Sequence, residues 1–499
     1  MKKLYALLLV LALLFLPSIV LPSDKPAEKN KQPKEHNVQK TPDSNDGGFD
    51  IVLLIDSSGS MKKTDPHDYR KAAAKLFISL LGEHDLISVI SFGDKANTLV
   101  PLTENLKTNQ GKLFQAVNKV TSKEFSTHMH DAVRKGVEEL KSSQRKNRLL
   151  VLMSDGKLTV GTDEEDKAAF IELSKLIPEV GKANIRLYSI AFSEFSDSKL
   201  LEDIAKGTGG FFKFAKEDKD IHVIFSSMFE KIKSPDTIPL EGDTFSIDKD
   251  IEEAILVISK KAGTSTTLIA PSGKKYISSK YDKNMKWFGS DIFDMITITG
   301  PAVGKWGVKL STKEGNKIFV ITNLSLKNSF NRNFAEKGDK LKIDAWLEKD
   351  NGILKEKGLL GEVSFSADIV TPDGKAQKLA LSDSGTAGDD KPGDGIYTGE
   401  LAANITGDYS VKVIAEGKTF KREKVLQFKT IEKPAIKPGQ TPAPEKKDAK
   451  EEPYVPWEKI LVKFGLINLA VFSSVLLFFM VRLVIVKIKT NTQNRKGKK

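Results

Sequence analysis

Asp56, Ser58 and Ser60 place one carboxylate and two hydroxyls at alternate positions, directly after the apolar run Ile51–Ile55. All three are hard oxygen donors of the kind Mg²⁺ prefers, and two of them are neutral. Such a set holds a divalent cation without cancelling its charge, and leaves it open to a further anionic ligand. Two later segments supply matching groups. Phe125-Ser126-Thr127-His128-Met129-His130-Asp131 offers the Thr127 hydroxyl ahead of a helical pattern, and Leu149–Ser154 is a second apolar run, ending at Asp155-Gly156. Both apolar runs have strand length and composition. In open α/β sheets ligands bind at the carboxyl ends of strands, which is where these oxygens fall.

Simpler roles exist for the same residues. Ser58 and Ser60 suit the cap of an ordinary strand-to-helix turn, and Asp155-Gly156 suits a plain turn. Taken together and in this order, Asp56, Ser58, Ser60, Thr127 and Asp155 resemble the metal-ion-dependent adhesion site of von Willebrand factor type A domains. The resemblance implies Mg²⁺ or Mn²⁺ on these five residues, and a protein partner that offers an Asp or Glu carboxylate. The chain departs from the usual pattern at Glu124-Phe125-Ser126, where such domains often carry glycines, and at Lys157, a cation close to the last carboxylate.

The surrounding chain reads as a membrane-anchored protein of several domains. With 499 residues, 39% apolar and 29% charged, it has room for two to four cores. It contains no cysteine, which excludes disulfides, thiol nucleophiles and thiolate metal sites. Met1-Lys2-Lys3 and the leucine-rich stretch to Val20 read as a secretory signal over 1–23, with an uncleaved anchor as the alternative. Residues 458–486 are long and apolar enough to span a bilayer, and the basic tail 487–499 carries no acid, so the tail is expected in the cytoplasm and the bulk of the chain outside it. The net charge of +12 is spread over mixed acidic and basic stretches apart from that tail, which argues against nucleic acid.

Between the termini, a polar leader (24–47) precedes a region (48–235) in which strand and helix patterns alternate. Examples are the helical spacing of Tyr69, Ala73, Leu76, Phe77 and Leu80, the strands Leu86–Phe92 and Ile185–Phe192, and an amphipathic helix through Ile221, Ile224, Phe225, Met228, Phe229 and Ile232. Alternation of this kind predicts an α/β fold with a doubly wound, mostly parallel sheet. Strand signals alone follow, predicting a β-sandwich over 236–323 and an immunoglobulin-like β-sandwich over 324–432, then a Pro/Lys/Glu-rich stalk over 433–457. In the last sandwich, Asp383, Asp389, Asp390 and Asp394 are candidate Ca²⁺ ligands. EF-hand spacing is absent, and turn chemistry explains the same acids.

Enzymatic motifs are missing. His128 and His130 flank Thr127, which raises a Ser–His–Asp arrangement with Ser58 or Ser60, but no Gly-x-Ser-x-Gly elbow accompanies it. His-Glu-x-x-His and phosphate-loop motifs are absent as well. The expectation is therefore a non-enzymatic adhesion module whose cation binds an acidic residue of a partner. The alternative is a cell-envelope assembly or stress-response scaffold that organises other membrane proteins.

Overall fold

Ile51–Ile55 are fully buried, and the pleat sends alternate members to opposite faces: Ile51, Leu53 and Ile55 into one core, Val52 and Leu54 into another. Such a strand needs helices on both sides, which the chain provides. A computed structural model describes residues 48–432, except 144, 156, 193–195, 351, 357–359 and 387. The signal (1–23), leader (24–47), stalk (433–457), spanning segment (458–486) and tail (487–499) lie outside the described residues. Among the described residues no helix is long and apolar enough to cross a membrane.

The first region is a six-stranded sheet of β1 (Asp50–Asp56), β2 (Leu86–Phe92), β3 (Ala96–Glu104), β4 (Arg148–Ser154), β5 (Ile185–Ala191) and β6 (Phe211–Phe214), in the order β3-β2-β1-β4-β5-β6. Every pairing is parallel except that of the edge strand β3 with β2. The helices are α1 (Met61–Thr64), α2 (Tyr69–Leu80), α3 (Lys107–Asn118), α4 (Met129–Lys141), α5 (Asp163–Lys182), α6 (Ser198–Gly207) and α7 (Ile221–Lys233). Helices α2, α3 and α7 cover one face of the sheet, through Phe77, Leu113 and Phe225. Helices α4, α5 and α6 cover the other, through Val133, Leu173 and Leu201. Helix α5 starts in a capping box: Thr162 Oγ1 accepts from Glu165 N (3.3 Å) while Thr162 N donates to Glu165 Oε2 (2.7 Å).

Two β-sandwiches follow, with separate cores built around Trp306, Leu256 and Ile296 in one and Tyr409, Val411 and Phe428 in the other. Their expected division at 323/324 applies to the cores but not to the sheets. The two-residue strand Asp236–Thr237 pairs with Lys317–Thr322 of the first sandwich and touches Lys421–Ile431 of the second at Glu423, splicing both into one sheet. Arg422 is fully buried at this junction, with both terminal guanidinium nitrogens on Asp248 (2.6 and 2.9 Å). The expected break at 235 is bridged too. Val257, Phe293, Met295 and Phe319, on the outer face of the first sandwich, complete the core beneath α7.

Candidate metal centre

Parallel pairing sends β1 and β4 out of the sheet at the same edge, side by side, with Ile55 opposite Met153. That register sets Asp56 beside Ser154, and Ser154 Oγ donates to Asp56 Oδ2 (2.6 Å). Beyond β1 the chain turns sharply: Ser58 N donates to Asp56 Oδ1 (2.7 Å), and Met61 begins the single turn of α1. Ser58 Oγ and Ser60 Oγ are 2.9 Å apart, and Ser60 Oγ donates to Asp155 Oδ1 (2.8 Å). Thr64, one helical turn after Ser60, donates to the other oxygen of Asp155.

These contacts decide between the roles the sequence left open. Ser60 stands at the N-cap of α1 but makes no side-chain cap bond; its hydroxyl turns to Asp155 instead. Asp155 accepts from hydroxyls more than 90 residues away in the chain, Ser60 and Thr64, which a plain local turn does not require. Among the described residues neither serine hydroxyl bonds to an imidazole. Both are engaged with each other or with Asp155, so the Ser–His–Asp arrangement does not form here.

Thr127 reaches the same edge through its backbone. Gly59 N donates to Glu124 O (2.7 Å), tying the β1 loop to the segment before α4, and Thr127 N donates to Thr159 O (2.6 Å), tying that segment to the chain after Asp155. The Thr127 segment is fixed in turn by Asp94, whose Oδ1 accepts from Phe125 N (2.9 Å) and Ser126 N (2.8 Å). Glu124, where glycine is usual, returns a carboxylate oxygen to Asp94 N (2.7 Å) and occupies the space that a side chain at Gly93 would need. Phe125 is left 96% exposed on the rim.

The electrostatics are set by two carboxylates taken out of water close to each other. Asp56, Ser58, Thr127 and Asp155 are all buried, with Ser60 at the mouth. Burial, and then the neighbouring Asp155 carboxylate, push the Asp56 carboxyl up to about 6, against the pull of its bonds from Ser154 and Ser58. Among the ion pairs of the described residues none reaches Asp56 or Asp155, and Lys157 is turned to solvent. Two buried carboxylates, held by hydroxyls and the Ser58 backbone N–H, are a donor set that fits a hard divalent ion. Ser154, Thr64 and Asp94 were not singled out in the sequence, and Glu124 stood out only as a departure from the usual glycines. Ser154 is legible as the residue before Asp155 on the same strand end; the others act through contacts between segments distant in sequence.

The four acids of the last sandwich divide. Asp383, Asp389 and Asp394 cluster, with carboxylate oxygens within 4.8 Å of one another. Asp390, the fourth acid of the expected set, stands apart from this cluster: its side chain is exposed and pairs with Lys342 (2.9 Å). Asp383 accepts from the backbone N–H groups of Gly393, Asp394 and Gly395, Asp389 from those of Gly385 and Lys391, and Asp394 from that of Ile396. This is turn chemistry of the kind the composition already offered.

Fold and strand-end site together define the class, an α/β domain with an oxygen-donor centre at the carboxyl edge of its sheet. Residues 50–227 are a von Willebrand factor type A domain, and residues 325–427 match the conditioned medium factor 2nd Ig-like domain. Among relatives, calcium-activated chloride channel regulator 1 of Bos taurus is 26% identical over 411 residues, covering 74% of this chain and 42% of that protein. An uncharacterized protein of Borreliella burgdorferi is 24% identical over 239 residues, 42% of this chain and 66% of the relative. The chain therefore spans about two fifths of the length of the chloride channel regulators it matches. Among solved structures, a von Willebrand factor type A protein from Catenulispora acidiphila aligns over 62% of this chain and 64% of its own, at 14% identity and a TM-score of 0.34. The corresponding domain of the type V pilus tip protein Mfa5 from Porphyromonas gingivalis aligns over 38% of this chain and 97% of its own, at 13% identity and a TM-score of 0.32.

Proposed function

We propose that this chain is a membrane-anchored, extracytoplasmic adhesion module, not an enzyme, whose von Willebrand A domain binds a protein partner through a divalent cation. Asp56, Ser58, Ser60, Thr127 and Asp155 would hold Mg²⁺ or Mn²⁺ as a metal-ion-dependent adhesion site. When bound, the ion supplies a positive centre with positions open to a partner's Asp or Glu carboxylate. The observation that carries this reading is the pair of buried carboxylates, Asp56 and Asp155, with hydroxyl neighbours and, among the described residues, no ion pair to a basic side chain.

The residues of the chain prepare such a site in three ways. Asp94 and Glu124 brace the Thr127 segment, so its position is set before anything binds. Ser60 at the mouth keeps one donor within reach of solvent and hence of a partner. Phe125 stands free on the rim, and an exposed aromatic beside a charged centre suits the anchor of a protein contact. The anchor in 458–486 and the orientation rest on hydropathy and the basic tail.

Titration of Mg²⁺ into the metal-free full-length chain in mild detergent should show a site that Asp56→Ala abolishes while circular dichroism stays unchanged. Proteins captured from intact cells should dissociate in EDTA and return with Mg²⁺ or Mn²⁺, and should be held less tightly by Asp155→Ala. Unaltered Mg²⁺ binding in Asp56→Ala, or partners retained in EDTA, would remove the ion from the function.

A further inference from the structure

Thr64 closes the single turn of α1, four residues after Ser60, and its hydroxyl donates to Asp155 Oδ2. Its other acceptors are distant, Ser60 O at 3.4 Å and Met61 Sδ at 3.9 Å, so Asp155 is its principal partner. Ser60 Oγ takes the second oxygen, Oδ1, at 2.8 Å, and Ser58 Oγ lies 2.9 Å from Ser60 Oγ. The two oxygens of Asp155 therefore keep different company. Oδ1 joins the serine hydroxyls assigned to the cation, whereas Oδ2 is tied to a residue outside that set.

The position of Thr64 is fixed from behind by protein contacts. Asp65, the next residue, is buried and accepts from Tyr69 N (2.6 Å), Arg70 N (3.2 Å) and Arg70 Nη1 (2.5 Å). The fully buried Arg70 carries the tie onward, with Nη2 donating to Thr121 O (3.1 Å) and Ser122 Oγ (2.7 Å), in the segment that leads to Thr127. Breaking such a buried pair leaves an uncompensated charge, so the end of α1 is held firmly. Asp155 is held at its backbone as well, where Ser196 Oγ donates to its carbonyl (3.1 Å). The bond between Thr64 and Oδ2 thus joins two mounts that are each fixed elsewhere.

Hard cations differ in how they use a carboxylate. Mg²⁺ demands a near-ideal octahedron, whereas Ca²⁺ takes about six to eight oxygens and accepts both oxygens of one carboxylate. For Asp155 to offer both, Oδ2 would have to leave Thr64, and a hydrogen bond to a charged group is worth about tenfold or more in an equilibrium. We propose that Thr64 is a specificity-determining residue of the cation site: by holding Asp155 Oδ2 it restricts Asp155 to one oxygen and so favours Mg²⁺ over Ca²⁺. Thr64 acts through Asp155 and is a positioning residue. The inference rests on the reading of Asp56, Ser58, Ser60, Thr127 and Asp155 as a divalent site.

The test is calorimetric titration of the metal-free full-length chain in mild detergent with Mg²⁺ and, separately, with Ca²⁺. Heat that survives in Asp56→Ala belongs to other sites and is subtracted. Thr64→Val removes the hydroxyl at nearly constant shape, and should raise the ratio of Ca²⁺ to Mg²⁺ affinity about tenfold. Thr64→Ser keeps the hydroxyl and should keep the wild-type ratio. A purely structural role would weaken both ions alike and leave the ratio unmoved, which overturns the inference, as does a raised ratio in Thr64→Ser. Should Thr64→Val lose the wild-type circular dichroism, Thr64→Ala decides by the same ratio. A wild-type chain that binds no Mg²⁺ removes the site and the inference together, whereas Mg²⁺ binding with an unmoved ratio removes the inference alone.

Discussion

Asp56 and Asp389 are both buried acids set among other acids, yet their environments act in opposite directions. Burial and the facing Asp155 carboxylate push Asp56 up to about 6, whereas the Gly385 backbone N–H, assisted by that of Lys391, holds Asp389 below the usual carboxylate range. In the Ig-like loop each carboxylate is already answered by backbone amides, and the acids serve the turn. At the sheet edge Asp56 receives a single backbone N–H, from Ser58, and the rest of the bonds to Asp56 and Asp155 among the described residues come from hydroxyls, which leaves two buried carboxylates facing each other with little to offset their charge. An acidic cluster therefore points to a cation only when its own backbone has not already used it.

The largest effect expected from this contrast is in cation affinity. Asp56→Ala should weaken Mg²⁺ at least about a hundredfold by calorimetry, while Asp389→Ala leaves it unchanged. Equal losses in the two variants would erase the distinction. Next is stability: Asp383→Ala strands three backbone donors and should cost the Ig-like domain about 2 kcal/mol in denaturant unfolding. Added Ca²⁺ that stabilises the wild type, but not this variant, would move the loop into the class of metal sites. The opposite sign is expected at the edge of the A-domain sheet. In EDTA, Asp56→Asn should stabilise the chain by about 1.5 kcal/mol, because it deletes a buried charge facing Asp155.

A buried base extends the contrast, with the smallest effect. His222 lies between α7 and the first sandwich, donating to Lys219 O (2.7 Å), accepting from Ser259 Oγ (2.8 Å) and stacking on Phe293. Burial lowers it from 6.5 to about 4. The unfolded chain therefore takes up a proton first as the pH falls, so stability is full above about 6.5 and declines toward about 4. Between pH 7 and 5.5 the loss should be about 1 kcal/mol, and it should be absent in His222→Gln. An identical pH profile in the two chains would show that His222 is already protonated in the fold.

Much of the site was legible because its residues sit where strand patterns stop. The runs Ile51–Ile55 and Leu149–Met153 are buried on both faces and so remain apolar throughout, which marks the positions of Asp56 and Asp155. Helix α5 was obscured by Phe170 and Ile171, which face solvent at about half exposure, and by the internal Pro178. Helix α3 buries only Leu113, Ala116 and Val117, too few to show a period among its polar residues. The strand Lys421–Ile431 begins Lys-Arg-Glu-Lys and looks solvated, yet Arg422 is buried on Asp248, 174 residues away. Pairings at such range leave no local trace, and they also hide the spliced sheet and the braces on Thr127.

The junction between the domains has a mechanical consequence. Lys231 and Ser234 at the end of α7 reach Gln427 O and Lys424 Nζ, Glu202 on α6 pairs with Lys429, and Thr237 meets Glu423. All four contacts fall on Lys421–Ile431, the last described strand of the chain. A pull applied at the strand ends of the A domain would reach that strand directly, in shear across side-chain and backbone bonds, without first stretching the middle sandwich. The middle sandwich then acts as a splint alongside the line of tension, and the first bonds to yield under load should be those between α7 and the final strand.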